Sequence, residues 1–144
     1  MKGREVEVRV HFRVEGFPPK KDGANSMWGK PREAERVRAL RLNAANAFAG
    51  RPPLSRNVRI HVDAHVGPFN RGDIGDLDNF VTGICDGLQP ADPRARIAIA
   101  FEEHIRPSIA VGIANDREVM EIVARKIIAR EEPFYELTLE GDSP

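Results

Sequence analysis

Apolar and polar residues alternate from Val6 to Val14, with Val6, Val8, Val10, Phe12 and Val14 on one side and Glu7, Arg9, His11 and Arg13 on the other. A period of two predicts a half-buried strand. Gly16-Phe17-Pro18-Pro19 ends it, and residues 16–31 read as a loop carrying Lys20, Lys21, Trp28 and Lys30. Trp28 either pins this loop to the core or offers a stacking surface to a nucleic-acid base. Pro31 suits a first helical turn, with Glu33 and Glu35 near its positive end. Val37, Leu40, Ala44, Ala47 and Phe48 then form one helical stripe. Arg32, Arg36, Arg38 and Arg41 are expected off that stripe, on a solvated face, where they pair with Glu33 and Glu35 or meet phosphate. Gly50 and Pro52-Pro53 stop the helix.

Alternation returns at Val58, Ile60, Val62, Ala64 and Val66, predicting a second strand at about 57–66. After Gly67-Pro68 comes a loop over 69–77, then a helix at about 78–88 that buries Phe80, Ile84 and Leu88. Residues 89–114 read as a hairpin or an irregular arm. Asn115-Asp116 is a turn. In residues 118–129 the helical and extended periods each fit part of the run. Phe134 to Leu139 reads as a last short strand and Glu140 to Pro144 as a tail. The expected fold is α/β, one domain spanning 1–144, with a mixed sheet packed against two main helices and an inserted arm near 89–114.

With 144 residues, 41% of them hydrophobic and 31% charged, the chain is long enough to bury a sizeable core and has an ordinary globular composition. No apolar run approaches the roughly 20 residues of a membrane span. The single cysteine, Cys85, excludes an intrachain disulfide and a cysteine-rich zinc site, and a cytoplasmic location is expected. A formal net charge of zero hides a polarity: residues 1–60 hold fourteen Lys and Arg against six Asp and Glu, and residues 61–144 hold eight against sixteen. Either the signs merely separate along the chain, or a basic half meets a polyanion while an acidic half holds metal.

The chemistry concentrates at Asp76-Leu77-Asp78-Asn79. Two carboxylates one residue apart, at a loop-to-helix junction, can share one hard divalent cation and leave positions open for phosphate and water. The alternative is that Asp78 caps the helix and Asp76 favours its positive end. Asp78, Thr82 and Asp86 recur at intervals of four and share one helix face, which makes Asp86 a further ligand, a supporting residue or a surface acid. His11 and His61 fall on the polar sides of their strands, His65 and His104 stand alone, and none has helix-borne zinc spacing.

In order, the chain presents a strand, Gly16-x-Pro18-Pro19-Lys20, a helix, a strand, Asp76-Leu77-Asp78-Asn79, a helix with Asp86-Gly87-Leu88, and Asn115-Asp116-x-x-Val119. This order resembles the RusA-type Holliday junction resolvases over nearly the whole chain, and the resemblance favours a strand over 119–129. It implies a homodimeric, magnesium-dependent endodeoxyribonuclease, with manganese as a substitute, that cuts four-way DNA junctions symmetrically in recombination and repair and leaves a 5′ phosphate. By position, the metal-binding catalytic acids would be Asp76, Asp78 and Asp116. Lys20, Lys21, Lys30, Arg71 and Arg117 would contact the DNA backbone, and Asn79, Thr82 and Asp86 would support the acids. The chain departs from the family pattern in two places. Thr82 stands where the family usually carries a lysine, which motivates the alternative of a branched-DNA-binding protein that does not cut. About 26 residues separate Leu88 from Asn115, where the family often has a much shorter link.

Overall fold

The computed structural model describes residues 6–21, 27–67, 77–128 and 132–144. Two helices, α1 (Pro31–Phe48) and α2 (Leu77–Leu88), lie against a four-stranded sheet of β1 (Val6–Glu15), β2 (Arg56–Val66), β3 (Val119–Ile128) and β4 (Phe134–Ser143). The strand order is β1-β4-β2-β3. β4 runs antiparallel to both neighbours, from Val6↔Ser143 to Glu15↔Phe134 on one side and from Arg56↔Asp142 to His65↔Phe134 on the other. β3 is parallel to β2, as a strand reached through a helical crossover can be. Among the described residues, no helix is long and apolar enough to cross a membrane.

Alternation decides which face is covered. Val8, Val10, Phe12, Ile60, Val62, Leu137 and Leu139 all point to the helix side, where they form one cluster with Leu40 and Phe48 of α1 and Ile84 and Leu88 of α2. The opposite sheet face is a polar lattice. Arg9 and Arg59 each reach Glu140 at 3.2 Å, Arg125 reaches Asp63 at 2.8 Å, and His11 Nδ1 lies 2.9 Å from Thr138 Oγ1. His65 stacks on Phe134, and the Arg13 guanidinium sits 3.6 Å from the centre of the same ring. The charge polarity along the chain therefore dissolves locally, because acidic β4 lies between β1 and β2, whose Arg9 and Arg59 face its Glu140.

Two expectations change, and one open alternative closes. The final strand continues to Ser143 where a tail was expected, because Glu140, Gly141 and Asp142 sit between two neighbours and their backbone groups pair in the sheet. Residues 89–114 form an arm, not a hairpin: Ile97, Ile99 and Phe101 join no strand, and the ordered features are a short 3-10 turn at Glu103–Ile105 and a single bridge from Ile113 to Leu54.

The other change concerns Arg41, which is fully buried and not on a solvated face. It lies four residues after Val37 and seven before Phe48, so the helical period places it within the apolar stripe. Its guanidinium donates to five backbone carbonyls: Gly87 at 2.8 Å, Gln89 at 3.1 Å, Ile105 at 3.0 Å, Arg106 at 2.7 Å and Ile109 at 2.6 Å. Each buried carbonyl is thereby satisfied. Burial lowers the guanidinium pKa to about 10. Arg36 and Arg38 do pair with Glu33 and Glu35, at 3.1 and 3.6 Å, and Arg38 also reaches Glu102 at 2.7 Å.

Candidate metal and nucleic-acid site

α2 is amphipathic. Phe80, Ile84 and Leu88 are fully buried, while Asp78 and Thr82 are exposed and Asp86 is half-buried. Asp78 lies in the first turn, near the positive end of the helix. The Thr82 hydroxyl donates to the Asp78 carbonyl at 2.9 Å, so this side chain turns back along its own helix. Asn79 follows Asp78, half-buried. Asp86 is two turns further on, about 12 Å along the axis, too far to share one cation with a carboxylate at the position of Asp78. Asp76 and Arg71 lie outside the described residues.

Asp116 reaches the same helix from the far end of the arm. It begins the 3-10 turn Asp116–Glu118 that leads into β3. Its backbone N–H donates to Gln89 Oε1 at 3.0 Å, and Gln89 Nε2 donates to the Cys85 carbonyl at 2.9 Å. The side chain of Gln89 thus braces Asp116 against the last turn of α2, while its own carbonyl is held by Arg41. Asn115 Oδ1 accepts from the Arg117 N–H at 2.9 Å, which caps the turn and leaves Arg117 exposed.

The lysine loop crosses α2 at a glycine. A Cβ at Gly83 would overlap the Pro19 carbonyl, so the loop backbone rests directly on the helix. Pro18 and Pro19 are buried, and the Lys20 N–H is tied to Glu33 Oε1 at 2.9 Å. Lys21 follows, and its Nζ lies 2.8 Å from Asp86 Oδ2. The hydrogen bond and charge of Asp86 raise the Lys21 pKa, and the charge of Asp116 adds to them. Burial, and then the charges of Asp86 and Asp116, push the neighbouring Cys85 thiol up to about 11, so Cys85 is a protonated core residue and not a nucleophile.

Of the candidate residues, the structure gathers Lys21, Asp86 and Asp116 at the C-terminal half of α2 and leaves Asp78 and Thr82 at its N-terminal half. Lys30 stands just before α1, half-buried. Trp28 is buried, its ring 5.5 Å from that of Phe101, and the Arg41 guanidinium lies 5.3 Å from the indole. It pins the loop and offers no stacking surface. A cleft of about 660 Å³ opens beside these groups, lined by Lys21, Asp86, Gln89, Asp92 and Arg94 over a floor that includes Trp28.

Among the described residues, no three His, Cys, Asp or Glu side chains converge to hold an ion. The donors that Asp78 and Asp116 offer are carboxylate oxygens, the chemistry that magnesium or manganese takes. Gln89 and Arg41, which position Asp116, were missed in the sequence. For Arg41 the helical spacing was a usable signal, whereas Gln89 carries none.

No protein-family model matches the chain, and no curated protein matches it.

Proposed function

We propose that this protein is a magnesium-dependent endodeoxyribonuclease of the cytoplasm that cleaves four-way DNA junctions in recombination and repair. The observation that carries this reading is the exposed face of α2, with Asp78 at its first turn, against whose other end Gln89 docks Asp116 at 3.0 Å. Asp76 and Asp78 would hold a cation at the first turn of α2, and Asp116, docked at the opposite end of the helix, would serve a separate cation position. Bound magnesium, or manganese in its place, would polarise a phosphodiester oxygen and make an attacking water more acidic. Lys20, Lys21, Lys30, Arg71 and Arg117 would follow the phosphate backbone, giving binding that weakens steeply with salt. The mixed-sign sheet face, where arginines are already paired with carboxylates, is a poor DNA surface, so the helix side is the one that meets DNA.

A homodimer would place two such sites on two strands. Its interface is proposed at β3, an edge strand whose Met120, Ile122, Val123 and Ile128 are exposed, at 70%, 44%, 41% and 59%. A long apolar edge invites strand pairing. Antiparallel pairing of two β3 strands about a twofold axis at Val123 would set Glu121 opposite Arg125 and bury these side chains.

The test is cleavage of a labelled four-way junction beside a linear duplex, in magnesium or manganese, with Asp78→Asn as control. Paired symmetric cuts in the junction alone, lost in the variant, support the reading. Binding without cleavage in either metal favours the second reading, a branched-DNA-binding protein, for which the back-bonded Thr82 hydroxyl on α2 is the motivating observation.

A further inference from the structure

We infer that Lys21 is the phosphate-contacting cation of this site, held on Asp86 in the DNA-free protein and transferred to a strand phosphodiester when DNA enters the adjacent cleft. This rests on the nuclease reading for its catalytic part, but not for its phosphate contact.

Four observations converge. First, α2 carries no lysine or arginine of its own, since its sequence is LDNFVTGICDGL. Any cation on its acidic face must therefore come from another segment. Second, the segment that supplies one is tightly placed: Gly83 admits the Pro19 carbonyl onto the helix, and Glu33 fixes the Lys20 N–H. A loop held at two consecutive residues delivers the next side chain to a defined place. Third, the Lys21 ammonium sits 2.8 Å from Asp86 while its side chain remains 48% exposed. A pair that open to water contributes little to stability, so fold maintenance is a weak account of it. A phosphodiester can take over the ammonium without any backbone movement, because lysine is a point charge on a flexible stem. Fourth, Lys21 and Asp86 line the cleft together with the exposed Arg94, whose Nε is 3.4 Å from Asp92. The cleft thus has a second cation in its lining, also lent to a carboxylate.

The experiment uses the full chain, a synthetic four-way DNA junction and a linear duplex. Binding is measured in calcium across a salt series, and cleavage in magnesium. Lys21→Met should flatten the logarithmic salt dependence of junction binding by about one phosphate contact and slow cleavage about 100-fold. Lys21→Arg should keep the salt slope. Thr82→Lys added to Lys21→Met should recover most of the lost rate, because a lysine at 82 lies four residues before Asp86 and reaches the same place. Asp86→Asn, which removes the competing carboxylate, should tighten junction binding at low salt. An unchanged salt slope in Lys21→Met, with binding no tighter in Asp86→Asn, overturns the inference whether or not the protein cuts. Failure of the parent to cut any junction overturns the nuclease reading alone, and the salt slope then still decides for or against Lys21.

Discussion

Arg41 Nε donates to the Ile105 carbonyl at 3.0 Å, joining the middle of α1 to a residue 64 positions later in the chain. That bond and its four companions stitch α1, the end of α2 and the arm together around one guanidinium. The same guanidinium holds the Gln89 carbonyl, and the Gln89 side chain holds the Asp116 N–H. The packing of an interior arginine is thereby linked to the placing of a candidate catalytic acid.

Arg41→Met should therefore destabilise the protein by about 3 kcal/mol or more, since five carbonyls lose their donor. Urea unfolding measures this, and faster amide exchange at Ala91 and Val111, which anchor the arm to Pro107 and Leu88, would place the damage. The folded-state pKa of Arg41, about 10, lies below the ordinary guanidinium value. The unfolded chain therefore binds more protons only between those values, and the penalty of burying the cation is constant below pH 10. A difference between parent and variant that changes across the neutral range would contradict this placement.

Gly83→Ala should cost about 1–3 kcal/mol, as overpacking does, because the added methyl meets backbone and not a flexible side chain. Thermal unfolding gives the cost. Junction binding should weaken as well, since the displaced loop carries Lys20 and Lys21. A fully stable variant would show that the loop does not rest on α2.

Asp78→Asn removes a candidate ligand from an exposed first turn and should leave thermal stability within about 0.5 kcal/mol of the parent. Junction cleavage should fall to background while binding persists. Cutting at the parental rate would remove Asp78 from the metal set.

The hydrogen bond from Arg125 holds the Asp63 carboxyl below its ordinary 3.8. A depressed acid lends stability above its unfolded pKa and loses it as pH falls through the folded value. Asp63→Asn should therefore narrow the gap in stability between pH 7 and pH 3. Acid unfolding curves that superimpose would show the pair to be ineffective.

Val123→Lys places a charge at the proposed twofold on β3. Sedimentation should show a dimer for the parent and a monomer for the variant, with unchanged far-ultraviolet dichroism. A parent that sediments as a monomer at all concentrations would remove the β3 interface.

The sequence by itself determined β1, β2, the two helices and their buried stripes, because alternation and helical period are local and record which face each element turns to the core, whereas over β3 both periods fit part of the run. Val6 to Val14, Val58 to Val66 and the Phe80–Ile84–Leu88 stripe were legible for that reason. Asp76 and Asp78 stand out in the sequence as candidate ligands only because they are neighbours in the chain. Tertiary structure alone decided the partners of the polar groups. The carbonyls around Arg41 lie 46 to 68 residues away, Gln89 meets Asp116 across 27, and Lys21 meets Asp86 only because Gly83 leaves room for a passing backbone. Polar contacts depend on which segments cross and how closely, and no local period encodes that. The last strand shows the same limit: Glu140 to Asp142 carry a polar tail's composition, and only their place between β1 and β2 makes them the end of a central strand.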